Sequence, residues 1–383
     1  MNKTTAIIGC GAAGLMASSI LGPEAFVLEH GDEGGKKLLI TGGGRCNYTS
    51  SDSMEMLSSR YYEKKNFVSP ALHTFPPEKI TAYFETLGIK STVEENGKVF
   101  PSSGKAREIR DALLDKTDSV IYGEKITGIK KSGGIFHIET ERKVYTAEFI
   151  IIATGGITFP ETGSDGSLNK IIRGLGHKII AQHGTLTEIM TPTLPLFKAE
   201  GISLTLTLKK GKAKVHGDAV ITKRGISGPA PENFSHYLET KDEATIEFLP
   251  LTRESFSSLN AKAALKNALP LPERLTAVLL PDLSGKRVSD LSNKEKDEVI
   301  HALSGNTVPI KLNERRAMCT KGGVATDEVD RRTMESRLVE NLYFAGEVLD
   351  VDGECGGYNL TWAFASAFTA ASEIRKKKKL VLS

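Results

Sequence analysis

Thr4-Thr5-Ala6-Ile7-Ile8-Gly9-Cys10-Gly11-Ala12-Ala13-Gly14, followed by a run to Leu21 and then by Ala25-Phe26-Val27-Leu28-Glu29, is the stretch whose reading decides the fold. Thr4 to Ile8 is a short apolar run of the kind that forms a buried strand. Gly9 opens a turn, Ala12 to Leu21 reads as a helix of small residues, and Ala25 to Leu28 reads as a second strand with Glu29 directly after it. So compact a strand–helix–strand unit pairs its strands in parallel and lays the helix on one sheet face. Its glycines have the spacing of a dinucleotide-binding fingerprint. Gly9 permits the tight turn, Gly11 lets backbone approach a diphosphate, and Gly14 lets helix pack closely on strand. Phosphates would sit over Gly11, Ala12 and Ala13, where free N–H groups and the helix dipole favour negative charge. Glu29 stands where an acid binds adenosine ribose hydroxyls and repels a 2′-phosphate. The bland alternative is a glycine turn with no ligand, and the fingerprint alone does not separate FAD from NAD.

Two further segments make that separation. Gly35-Lys36-Lys37-Leu38-Leu39-Ile40-Thr41-Gly42-Gly43-Gly44-Arg45-Cys46-Asn47 follows the first unit closely. Its glycine run exposes backbone N–H groups that can lie against a flat ring or phosphates without an intervening side chain. Arg45 offers charge to phosphate or to a reduced flavin. Near the C-terminus, Leu342-Tyr343-Phe344-Ala345-Gly346-Glu347 reads as a strand ending in glycine and an acid, placed to accept from ribitol hydroxyls. Gly356-Gly357-Tyr358-Asn359 then opens a long helix, read to Lys376, whose N-terminus suits the N1/O2 edge of an anionic reduced flavin. FAD is therefore the expected cofactor. No second fingerprint follows, so NADH or NADPH enters only as a transient electron donor.

The chain has 383 residues, 39% hydrophobic and 25% charged, which is ordinary globular usage with room for more than one domain. A net charge of +3 permits an anionic partner without demanding one. Cys10, Cys46, Cys319 and Cys355 form no CxxC pair, and so few cysteines point to a reducing compartment. The apolar run Ala6 to Leu21 carries the fingerprint glycines and no convincing cleavage site, so it is not a signal peptide, and no stretch is long enough to span a membrane. A cytoplasmic protein is expected. His73, His177, His183 and His216 lack metal-ligand spacing and read as ordinary.

Further along, Pro77 to Leu87 and Lys105 to Leu114 read as helices. Ser119 to Ile129, Ile135 to Thr140 and Lys143 to Ala147 read as short strands with turns at Gly128 and Gly133, and Phe149 to Ala153 as a central parallel strand running into Thr154-Gly155-Gly156. The texture then changes. The expected organisation is an α/β, Rossmann-like FAD-binding domain split between 1–190 and 318–383, an inserted β-rich domain over 191–252, and a small helical domain over 253–317.

Several segments together resemble the aminoacetone-oxidase family of FAD-binding flavoproteins, which also contains bile-acid reductases and ribosomal RNA dihydrouridine synthases. They are Lys37 to Asn47, Val99-Phe100-Pro101, Ala153 to Gly156, Gly225-Ile226-Ser227-Gly228-Pro229, Lys321 to Val324, Gly346 to Asp350 and Gly356 to Leu360. The resemblance implies a split FAD domain and FAD contacts along these segments. The expected contacts are Gly9, Gly11, Ala12, Ala13, Gly14, Glu29, Lys37, Gly42, Gly43, Arg45, Cys46, Asn47, Ile126, Ala153, Thr154, Gly155, Gly156, Gly346, Glu347, Gly357, Tyr358, Asn359 and Leu360. The family's activities include oxidation of a small amine, reduction of a conjugated double bond in bile acids, and reduction of uridine in large-subunit ribosomal RNA. Lys223 stands where members often have histidine, two residues before Gly225, and Ala365-Ser366-Ala367 where a glycine is common.

Arg45, Cys46, Cys355 and Tyr358 are the candidates for chemistry. Either cysteine can be redox-active, donate a proton, or simply pack. Arg45 can hold an anionic substrate or a structural ion pair. Tyr358 and Asn359 can line the flavin or cap the helix. The leading functional reading is a reductase passing hydride from reduced flavin to a conjugated or ring C=C, in uridine of ribosomal RNA or in a small unsaturated molecule. The alternatives are an amine oxidase and a flavin-containing RNA-binding factor without turnover. Oligomeric state is not readable.

Overall fold

A computed structural model describes residues 4–239 and 241–382. The first unit of the chain builds the centre of a parallel sheet. Strand β1 (Thr5–Ile8) is followed by helix α1 (Ala12–Leu21), strand β2 (Ala25–Glu29) and the short helix α2 (Lys36–Ile40). Strands β3 (Val120–Tyr122), β4 (Phe149–Ile152) and β5 (Leu342–Phe344) complete the sheet in the order β5-β4-β1-β2-β3. Every pairing is parallel, with Thr5 opposite both Phe149 and Ala25. The strands β1, β2, β4 and β5 are buried throughout, as expected of a parallel sheet covered on both faces.

The long terminal helix α3 (Tyr358–Leu382) packs against α1. Small residues let the two approach a shared turn: a Cβ on Gly346 would lie 2.9 Å from the Ala13 Cβ. Helix α3 also grips that turn through hydrogen bonds. Trp362 Nε1 donates to the Gly346 carbonyl at 3.2 Å, and the Gly346 N–H donates to Ser366 Oγ at 2.9 Å.

Some local expectations needed correction. Ser119 to Ile129 is not one strand, and Gly128 lies inside a strand rather than at a turn. The segment breaks at Gly123, in the left-handed region at φ 73°, so Val120–Tyr122 joins the parallel sheet while Ile126–Ser132 begins a separate three-stranded antiparallel sheet with Ile135–Thr140 and Val144–Ala147. The glycine-rich loop contains helix α2, and Lys65–Thr74 is a further helix, with Pro70 inside it, that composition did not disclose.

The chain divides into two compact units, 1–183 with 319–383, and 184–318. The second unit is built on a seven-stranded sheet in the order Asn306–Pro309, Glu243–Glu247, Ser203–Lys210, Ala213–Ile221, Gly225–Ser227, Ile189–Met190, Lys311–Leu312. The segment expected to be helical, 253–317, does hold helices such as Glu273–Leu279 and Asn293–Ser304, with an apolar cluster around Leu251, Phe256, Leu265 and Leu303. It also returns two strands to the sheet, Asn306–Pro309 and Lys311–Leu312, which alternation over so few residues does not reveal.

Candidate functional site

The fingerprint turn shows why glycine is needed at two positions and what is left open at the third. A Cβ on Gly9 would lie 2.6 Å from the Ala153 carbonyl oxygen, and one on Gly14 would lie 1.9 Å from the Gly9 carbonyl oxygen. Both are packing constraints. A Cβ on Gly11 would meet nothing within 4 Å, although its φ of −86° suits any residue. Gly11 caps α1 without any side-chain hydrogen bond, and no acid stands in the first turn. The orphan N–H groups of the first turn therefore face an open, anion-favouring cradle.

Glu29 does more than the sequence indicated. One carboxylate oxygen accepts from the Cys10 N–H and the other from the Gly31 N–H, both at 2.8 Å. The acid pins the glycine turn to the end of β2, and its remaining lone pairs are what a ribose would use. Ile126, at the start of its antiparallel sheet, is partly buried against the same core.

The glycine run Gly42-Gly43-Gly44 has φ of 55°, 67° and 84°. A Cβ on Gly43 would again meet nothing within 4 Å, so Gly43 presents bare backbone to open space, while a Cβ on Gly42 would lie 2.9 Å from the Asn47 nitrogen. Gly357 is different: a Cβ there would lie 2.7 Å from the Thr49 carbonyl oxygen and 2.9 Å from Asn47 Oδ1. The start of α3 thus lies directly against the segment that follows the glycine run, and Asn47 Oδ1 also accepts from the Val99 N–H at 3.2 Å.

Glu347 is held by three donors. Lys37 Nζ lies 2.7 Å from it, the Thr320 N–H 2.7 Å, and the Gly156 N–H 3.3 Å. Lys37 also donates to Thr158 Oγ1 at 2.7 Å. The structure therefore brings together Lys37, Gly156 of the Ala153-Thr154-Gly155-Gly156 turn and Glu347, and adds Thr158 and Thr320, which carried no sequence signal.

The candidates for chemistry separate clearly. Arg45 is paired with Glu94 and lies over the Phe100 ring, 4.0 Å from its centroid. Cys46 is fully buried, in the left-handed region at φ 59°, and burial pushes its thiol up to about 12. Cys46 is thus closed off from solvent, whereas the Arg45 side chain is about half exposed. Burial, with Glu29 adding to it, pushes the Cys10 thiol up to about 12 as well, and burial raises Cys319 well above the usual thiol range. Cys355 is partly exposed and lies directly before the Gly356-Gly357 pair.

Tyr358 donates from its phenol to Asp52 Oδ2 at 2.7 Å, and Asp52 also accepts from Arg60 Nε at 3.2 Å. Burial first, then that bond to Asp52, raises the phenol, so it stays protonated. Asp52 and Arg60 lie some 300 residues away in sequence, and nothing local marks them. Asn359, expected to contact the flavin through backbone or amide or else to cap the helix, uses its amide on the loop before it. Its Oδ1 accepts from the Gly353 N–H at 2.9 Å and its Nδ2 donates to the Gly353 carbonyl at 2.8 Å, so the amide is committed to the preceding loop. Leu360 packs half-buried against the core.

The HI0933-like protein Rossmann domain family matches residues 3–373. The chain belongs to this family. It is an FAD-dependent oxidoreductase, and the open cradle at Gly11 and the bare backbone at Gly43 fit a diphosphate-bearing cofactor. Curated relatives of this HI0933-like chain include the ribosomal RNA dihydrouridine synthase of Escherichia coli strain K12, 30% identical, with 96% of this chain and 97% of that protein covered. The 3-dehydro-bile acid delta(4,6)-reductase of Clostridium scindens is also 30% identical, with 95% and 97% covered. Among solved structures, 3-ketosteroid-delta4-(5alpha)-dehydrogenase from Rhodococcus jostii RHA1 shares the fold at a TM-score of 0.52 and 13% identity, with 96% of each chain covered. The Escherichia coli quinol fumarate reductase FrdA does so at 0.52 and 14%, with 98% of this chain and 70% of that one covered. Among the described residues no helix is long and apolar enough to cross a membrane.

Proposed function

We propose that this HI0933-like chain reduces a carbon–carbon double bond conjugated to a carbonyl, and that its substrate is uridine in large-subunit ribosomal RNA. The supporting observation is that two relatives spanning almost the whole chain, at the same identity, are named for a uridine reduction and for a bile-acid double-bond reduction. The uracil ring places its 5,6 double bond in conjugation with the C4 carbonyl, so the two names share one chemistry. Bound FAD supplies the hydride equivalent in such a reduction.

The protein's share is to hold the cofactor and to provide the second hydrogen as a proton. The fingerprint turn, with Gly11, Ala12 and Ala13, holds the diphosphate, Glu29 the adenosine ribose, and Glu347 the ribitol. Gly42, Gly43 and the start of α3 bring backbone to the ring. Cys355 is the assigned proton donor, because it alone among the cysteines combines exposure with a place beside the Gly356-Gly357 turn. Tyr358, tied to Asp52, anchors that turn, its ring lying 2.3 Å from where a Cβ of Gly356 would be.

The test is anaerobic. Purified holoenzyme is mixed separately with NADH, NADPH and small amines, and flavin absorbance is followed; the reduced protein is then given ribosomal RNA, and dihydrouridine is measured. Bleaching by a nicotinamide followed by reoxidation with dihydrouridine formed is the expected result. Bleaching by an amine, with no reoxidation by any unsaturated acceptor, would replace this reading with the amine oxidase. The protein is assigned to the cytoplasm, where its substrate is made.

A further inference from the structure

In the unit 184–318 five cations have an acid against them among the described residues. Lys209 pairs with Glu247, Lys210 with Asp242, Arg253 with Asp297, Lys266 with Glu273 and Lys286 with Glu295. Other exposed cations of the unit are scattered, whereas at one end of the sheet five are gathered. Lys223, Arg224, Lys311, Arg315 and Arg316 are all exposed there, and none of the five is in an ion pair among the described residues.

Strand register and a buried carboxylate bring these residues together. Met190 lies opposite Gly225 on one side and Lys311 on the other, so the backbones carrying Arg224 and Lys311 are two strand spacings apart, about 10 Å. Glu188, itself buried, accepts from Thr222 Oγ1 with one oxygen and from Asn313 Nδ2, at 2.7 Å, with the other. Thr222 Oγ1 in turn accepts from the Gly225 N–H at 3.0 Å, and the Arg316 N–H donates to the Asn313 carbonyl at 2.8 Å. One carboxylate thus clamps the turn that bears Lys223 and Arg224 to the turn that bears Arg315 and Arg316. Glu188 is used up in that clamp, and Glu314 is the acid exposed on the second turn.

Unpaired like charges held this close repel one another, and an external polyanion relieves the repulsion. We propose that this end of the sheet is a docking surface for the sugar–phosphate backbone of RNA, with Glu188 as its positioning residue. The proposal rests on the reading that the substrate is ribosomal RNA. Cations spread over about 10 Å span successive phosphates, whereas a small anionic substrate needs only one or two of them.

The holoenzyme, Lys223→Ala/Arg224→Ala, Arg315→Ala/Arg316→Ala and the control Lys262→Ala/Lys294→Ala are titrated onto a fluorescent stem-loop of large-subunit ribosomal RNA at graded KCl. Binding is read by anisotropy, with FAD content and melting temperature as checks of folding. Each double variant at the patch is expected to bind roughly tenfold or more weakly at low salt. Its slope of log affinity against log salt should be shallower by about 1.4–1.8, while the control matches the wild type. Unchanged slopes in variants that still make dihydrouridine would overturn the docking surface and leave the substrate reading standing. A wild type that neither binds RNA nor forms dihydrouridine overturns both. Equal binding of polyglutamate would reassign the surface to an acidic protein partner.

Discussion

Gly11 and Gly14 occupy the same motif for different reasons, and single substitutions separate them. At Gly14 an added methyl meets backbone at 1.9 Å, and a carbonyl in a packed turn has nowhere to go. Gly14→Ala is expected to destabilise the apoprotein by about 1–3 kcal/mol, as overpacking does, and to lower its melting temperature. At Gly11 the space is open and the backbone is in an ordinary region. Gly11→Leu should leave the apoprotein melting temperature close to the wild type and weaken FAD binding by about tenfold or more, read by fluorescence titration, because the side chain fills the cradle. Equal effects on stability and FAD affinity in both variants would show that the distinction is wrong. Cys355 belongs to this scale as well. Cys355→Ala should keep FAD content and the rate of flavin reduction but slow reoxidation by the unsaturated substrate by about 10²-fold, the usual contribution of a positioned acid. A rate of reoxidation unchanged in stopped flow would remove Cys355 from the mechanism.

At the scale of elements, the start of α3 is organised by side chains that reach back rather than by its own helical propensity. Asn359 holds the Gly353 peptide from both sides, and Tyr61 donates to the Tyr358 carbonyl at 2.7 Å. Asn359→Ala leaves a half-buried peptide with two lost partners, an expected cost of about 1–3 kcal/mol in chemical denaturation. FAD affinity should fall with it, because the loop 350–357 loses its register against α3. A variant with native stability and native FAD affinity would mean that solvent replaces both bonds without consequence. This element also shows where sequence reading stops. Periodicity and glycine spacing located β1, α1, β2, β4, β5 and the beginning of α3, since those signals are local. The Asn359–Gly353 clamp, the Asp52–Tyr358 bond and the Thr320 contact to Glu347 depend on chain segments brought together by folding, and short polar residues such as Asp52 and Thr320 look the same at a site as on any loop. Short strands in mixed segments were equally silent: Lys311–Leu312 has two residues, and its partner Ile189–Met190 lies more than a hundred residues away.

At the scale of the whole molecule, the cofactor-binding unit is assembled from both ends of the chain, so contacts that close it span long loops. His177 is one of them. Its Nδ1 lies 3.1 Å from Glu328 Oε2 and its Nε2 2.9 Å from Ser336 Oγ, while its ring packs edge-on against Phe344 of β5. Ser336 Oγ already accepts from the Leu338 and Val339 N–H groups, so its own hydrogen goes to Nε2, and Nδ1–H donates to Glu328. This is a neutral imidazole used as a two-sided tie, and burial lowers its pKa below the ordinary 6.5. Below about pH 6.5 the unfolded chain takes up a proton on this histidine that the folded chain resists, so stability falls as pH falls until the lower folded value is reached. The stability this group contributes is fully present above 6.5 and is lost on acidification through the window beneath it. The slope from one such group is at most about 1.4 kcal/mol per pH unit. His177→Gln keeps hydrogen-bonding capacity but cannot titrate. Its denaturation midpoint should be lower than the wild type at pH 8, and the difference between the two should narrow as pH is taken from 7 to 5. A difference that widens towards acid would show that the folded state binds the His177 proton more tightly and that the tie to Glu328 is an ion pair, and a constant difference would show that folding leaves its pKa unshifted.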